Sequence, residues 1–132
     1  LVLGLTGCTA MLRVLQHEHE ESFAGYQEAS EGWVGVGIPA WIPEDARDLR
    51  NLATTDEQAA VIRVTSPTTP LGCVSAARRG LPALTADWTP ADLPAESWPA
   101  DVLACGEYEV MPVADGWLGW FNATEPGDIP GA

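Results

Sequence analysis

The densest set of potential metal ligands in the chain is the run His17-Glu18-His19-Glu20-Glu21. On a helix, His17, Glu20 and Glu21 share one face while His19 points elsewhere, so the run divides into two incomplete ligand sets. It lacks the HExxH spacing, in which two histidines four apart hold zinc from a single face. A solvated acidic stalk accounts for the same residues, and no metal or other cofactor is expected. Both histidines of the chain lie in this run, which leaves a serine or cysteine nucleophile elsewhere without an evident general base. Carboxylates such as Asp45, Asp48, Asp87, Glu107 and Glu109 could act as acid and base if set across a cleft. In a chain of net charge -13, however, their abundance carries no information. No GxGxxG fingerprint, phosphate loop or nucleophile elbow occurs, and no catalytic residue is assigned.

Six tryptophans, at 33, 41, 88, 98, 117 and 120, are the next candidates. Exposed indoles stack on sugar rings or peptides, while buried ones supply large apolar area to a small core. Trp41 and Trp120 are expected in the core. Trp98 and Trp117 sit beside proline-rich or turn segments and are expected at the surface, as binding residues.

The elements that position these residues follow from composition and punctuation. The chain has 132 residues, 6 basic and 19 acidic, and all the bases are arginine. That balance excludes nucleic acid as a partner, because phosphates would be repelled. Hydrophobic residues make up 46% of the chain, enough to bury a core and to exclude wholesale disorder. Residues 13–32 contain good helix formers and no proline before Gly32, and predict an acidic helical stalk. Strands are predicted at Arg47 to Ala53, Ala59 to Thr65, Tyr108 to Val113 and Trp117 to Phe121. Asp115-Gly116 between the last two is a hairpin signal, and Thr55-Asp56-Glu57 marks a second turn. Prolines 67, 70, 82, 90, 94 and 99 predict an irregular crossing over 66–103 with no long helix or central strand. The expected fold class is therefore α+β: a helical stalk, then a small antiparallel sheet of about four strands under that crossing. The domain is expected to span 33–122, with a disordered tail at 123–132. Asn122-Ala123-Thr124 fits the glycosylation sequon, a pattern short enough to arise by chance.

Three cysteines bear on location. Leu5-Thr6-Gly7-Cys8 matches a bacterial lipobox, in which Cys8 would be diacylated after signal cleavage. Two other readings of residues 1–12 stand beside it, the outer end of a single-pass anchor and a buried helix; 12 residues fall short of the roughly 20 that span a bilayer. Export would leave Cys73 and Cys105 as a pair, expected to form a disulfide in an oxidising compartment, with separate buried thiols as the alternative.

Taken together, Trp41-Ile42-Pro43-Glu44-Asp45-Ala46, Val61-Ile62-Arg63-Val64, Cys73, Trp88, Cys105-Gly106-Glu107-Tyr108 and Trp117 to Trp120 carry a family likeness. Over residues 38 to 121 the chain resembles a group of short exported or lipoprotein-like proteins of uncharacterised function from high-GC Gram-positive bacteria. The resemblance implies export and supplies no catalytic motif, and the acidic stalk is no feature of that group. The function expected from the sequence is a membrane-tethered module on the extracytoplasmic face of the cell membrane, without catalytic activity, contacting another envelope protein. The alternative is a glycan-binding or glycan-cleaving envelope domain that uses tryptophan and carboxylate side chains.

Overall fold

The computed structural model describes residues 18–34, 37–56, 58–90 and 97–122. The expected signal or anchor at 1–12, the lipidation site Cys8, His17 and the tail 123–132 lie outside the described residues.

The expectation of an α+β fold with a helical stalk is overturned. Glu18–Gly25 form a strand, β1, and the helix that follows, α1, covers only Tyr26–Gly32. In β1, His19, Glu21 and Phe23 are half-buried, and Glu20 and Ser22 face solvent. That period of two is a strand signal, and pairing along a neighbouring strand outweighs the modest helix propensity of the glutamates. Gly25 is extended (φ -150°, ψ 173°), and the Ala24 N–H donates to Glu28 Oε1 at 2.8 Å, so the chain turns directly from strand into helix.

The four expected strands are all present, as β2 (Arg47–Thr54), β3 (Ala59–Thr65), β6 (Tyr108–Val113) and β7 (Gly116–Asn122). Besides β1, two more arise where an irregular crossing was expected: β4 (Val74–Ala77) and β5 (Asp101–Cys105). Together they make one seven-stranded sheet in the order β1-β2-β3-β7-β6-β5-β4, antiparallel at every junction. The prolines leave room for both: β4 is short and at the edge, fitting between Pro70 and Pro82, and β5 starts just after Pro99. Pro112 is accommodated inside β6 because the β5–β6 ladder ends at Leu103↔Val110, so no partner there needs its missing N–H.

Both faces of the sheet are covered, which explains why β3 reads Ala-Ala-Val-Ile-Arg-Val-Thr with almost no alternation. On one face, Ile62, Val64 and Val110 pack under Trp41, Ile42, Ala46 and Ala29 of α1. On the other, Val61, Leu118 and Trp120 pack under Trp98, Leu81, Leu84 and Trp88. Trp120 is fully buried and meets Trp98 edge to face at 5.5 Å.

The covering segments are held by side chains rather than by ladders. Ser66 Oγ and Thr68 Oγ1 both donate to the Asp45 carboxylate. Glu109, 3% exposed, accepts the Arg79 N–H. Asn122 Oδ1 accepts from Ala83 N at 3.1 Å and Nδ2 donates to Leu81 O at 2.7 Å. The sequon asparagine is thus a buried clamp with both ends of its amide occupied.

The two hydroxyl donors, with lesser help from the Arg47 charge, hold Asp45 below its ordinary aspartate value. A depressed folded-state value contributes stability that is present above the unfolded value and lost as pH falls through the folded one. Asp45→Asn should therefore lower Tm by a constant amount at neutral pH, and the gap from the parent should close below about pH 4. Thermal melts of both proteins between acid and neutral pH measure this, and a gap independent of pH would refute it.

Candidate functional site

Of the binding residues expected from sequence, Trp98 is buried, at 7% exposure, in the core beneath the crossing, so its indole is unavailable to a ligand. Sequence context misleads there because Trp98 packs into the core against Trp120 although prolines flank it in the chain. Trp117 is half-buried against the opposite core, and its Nε1 donates to Thr68 O at 2.9 Å. The two residues lie on opposite faces and form no joint site. Trp41 and Trp120 are buried as expected. Cys73 and Cys105 form a disulfide, with Cα atoms 4.4 Å apart.

A concavity of about 760 Å³ lies on the α1 face, between Trp33, Val34 and the segment Gly37 to Trp41 on one side and the ends of the β2–β3 and β5–β6 hairpins on the other. Its volume is in the range of small-ligand and side-chain pockets. A chain of rings crosses it. Trp41 is tilted against Tyr108 at 5.9 Å, and Tyr108 meets Phe121 edge to face at 5.2 Å. The strand register puts these rings together, because residues of one parity on β6 and β7 face the same side. Trp41 lies flush on the sheet over Gly119, where a Cβ would come within 2.6 Å of its ring. Any side chain at 119 would lift the indole and change the groove's floor.

The polar side chains of the lining are His19, Asn51, Thr54, Gln58 and Tyr108, with Asp56 and Glu107 as its charged groups. Asn51 is buried, and its Nδ2 donates to Glu21 Oε2 at 2.9 Å; the same oxygen accepts the Val34 N–H at 3.3 Å, which fixes the start of the loop. Asp56 and Glu107 stand exposed on the rim, and no arginine lines the groove. His19 Nε2 and Trp41 Nε1 are enclosed in the wall without a hydrogen-bond partner. Trp120 Nε1 in the opposite core is in the same state, so this is not a signature of the groove. His19 touches no hydroxyl or thiol within hydrogen-bonding distance among the described residues, and no group of three or more metal-ligating side chains occurs among them. Glu18, His19, Glu20 and Glu21 instead alternate across the two sides of β1.

The mouth is apolar. Val34 is 54% and Leu71 50% exposed, and both line the groove. The end wall is the disulfide segment: Gly72 and Gly106, with φ of 69° and 64°, turn the chain on either side of it, and the Leu71 N–H donates to Trp41 O at 3.0 Å. The sequence reading missed Trp33, Tyr108 and Phe121 as groove residues. A strand-parity argument on the recognised β6–β7 hairpin could have found the last two.

The carboxylates singled out from sequence separate into distinct roles. Asp45 and Glu109 are structural clamps, Glu107 is on the groove rim, and Asp48 and Asp87 line a smaller pocket on the other face. Comparisons with protein-family models, curated proteins and solved structures found no match.

The disulfide closes a sequence separation of 32, for which loop-closure entropy amounts to about 3 to 4 kcal/mol. Replacing both cysteines by serine should reduce unfolding stability by about that much. It should also speed amide exchange at Leu71 to Cys73 more than in β3. Exchange that rises equally in both places would show that the bond does not hold the groove wall specifically.

Proposed function

We propose that the domain is a noncatalytic binding module that works outside the cytoplasm, tethered to the membrane through its N-terminal side, and that its groove receives part of an envelope protein. The observation that carries this reading is the groove itself: three contiguous rings, two exposed aliphatic residues at the mouth and carboxylates on the rim. Exposed aliphatics gathered at the mouth of an aromatic-lined groove, unlike singly scattered ones, mark an interaction surface. Among the described residues the large hydrophobics that stand exposed are Val34, Leu71 and Val74, and the first two flank this groove. The acidic rim in a chain of charge -13 selects the occupant's chemistry: an apolar or aromatic side chain flanked by lysine or arginine. The Cys73–Cys105 disulfide supports an oxidising compartment.

The glycan alternative loses Trp98, which is buried, and this groove has no charged donor for sugar oxygens.

Titration of the full chain with two peptides, one placing a phenylalanine between arginines and one placing it between glutamates, tests the reading. The basic peptide should bind at least about tenfold more tightly, a difference of about 1.4 kcal/mol, and its affinity should fall as salt rises. Leu71→Glu, an exposed position, should weaken the basic peptide's binding further without lowering Tm. Equal binding of both peptides would overturn the proposal. Retention on cell-wall polysaccharide that is lost in Tyr108→Ala would also overturn it, in favour of the glycan reading.

A further inference from the structure

On the face opposite the groove, Arg50 of β2 stands directly across from Arg63 of β3. Like charges opposite one another on neighbouring strands destabilise a sheet, and these are two of only six bases in the chain. They line a pocket of about 470 Å³ with Asp48, Thr65, Asp87, Trp88 and Asp115. Half of this arrangement is internally satisfied. Arg63 Nη1 donates to Trp88 O at 3.0 Å, Arg63 Nη2 lies 3.4 Å from Asp115 Oδ1, and Thr65 Oγ1 donates to Asp115 Oδ2 at 3.5 Å. The other half is not. Among the described residues the Arg50 guanidinium makes no hydrogen bond or ion pair, and neither Asp48 nor Asp87 is paired with it, although all three line one pocket.

A second, independent feature falls at the same place. Asp48 has φ of 49°, the one non-glycine residue with positive φ among the described residues. It sits where the β2–β3 register shifts between Arg47 and Arg50. Aspartate tolerates this region better than most residues, but glycine would hold it without strain. The bulge aims the Asp48 carboxylate into the pocket wall instead of leaving it on a regular strand. Retained strain, a guanidinium without an anion and separated carboxylates together describe a set of donors and acceptors spaced for something other than each other.

The charge count narrows what that is. Arg63 is already held by Trp88 O and Asp115, so Arg50 supplies the free cation of the pocket and Asp48 and Asp87 its free acceptors, a set that fits a ligand with one carboxylate and several hydroxyls. We propose that this pocket binds a uronic acid residue, its carboxylate paired with Arg50 and its ring hydroxyls donating to Asp48 and Asp87 beside Trp88. A carboxylate matches the planar guanidinium fork, and ionised acceptors take sugar hydroxyls strongly. The site is separate from the aromatic groove and does not depend on what occupies it.

The test is calorimetric titration of the full chain with sodium glucuronate, glucose and sodium acetate. Glucuronate should saturate the protein and bind at least tenfold more tightly than either control. Arg50→Gln, at an exposed position, should weaken glucuronate at least tenfold with Tm unchanged or raised, since it removes a like-charge pair. Asp48→Gly should weaken glucuronate while raising Tm, because the glycine relieves the backbone. Glucose binding as tightly as glucuronate, no saturation by about 50 mM glucuronate, or an Arg50→Gln protein that binds it as well as the parent would each overturn the assignment.

Discussion

A sheet that buries both of its faces requires the irregular segments that cover it, beside the short helix α1, to satisfy their polar groups outside any ladder. Both recesses of this chain lie where those segments meet the sheet. Buried backbone and side-chain polar groups are costly when unpaired. The covers are therefore stitched down by single side chains: Asp45 to Ser66 and Thr68, Glu109 to Arg79, Asn122 to Leu81 and Ala83, and Trp117 to Thr68. Each clamp crosses a long stretch of sequence. The disulfide does the same work covalently, joining the segment ahead of β4 to the end of β5.

Recesses lie where covering segments meet the sheet on each face. The groove is lined by sheet residues such as Ala53, Ala60 and Phe121 and by Trp33, Val34 and the segment Gly37 to Trp41. The arginine pocket forms on the opposite face where the segment around Asp87 and Trp88 meets the β2–β3 pair. The two recesses differ in chemistry because they sample different parities of the same strands. On β2, Asn51 and Ala53 face the aromatic groove while Arg50 faces the charged pocket. One short hairpin thus carries two surfaces of unlike character, separated by the thickness of the sheet.

The acidic character of the chain is likewise divided by position. On β1, an edge strand, Glu18 and Glu20 blunt a row of backbone groups that could otherwise pair with another chain. Glu21 turns inward to hold Asn51 and the start of the loop. Net charge says nothing about which carboxylates are clamps, which are rims and which guard an edge; the strand register decides it.

The sequence by itself determined the four strands with strong β composition, the turns at Thr55-Asp56 and at Asp115-Gly116 and the burial of Trp41 and Trp120, and it made Cys73–Cys105 the expected disulfide. These rest on local propensity, on the bulk of an indole and on cysteine arithmetic, all of which act over short range or require no geometry. Tertiary structure alone decided that residues 18–25 are a strand, because an edge strand is made by a neighbour willing to pair with it, and glutamates do not announce that. It also decided that the proline-rich crossing holds two further strands and buries Trp98, since prolines forbid only the positions they occupy. The aromatic groove and the Arg50–Arg63 pocket belong to the same class: their residues are scattered along the chain, and only the antiparallel register, fixed by burial on both faces, sets them side by side.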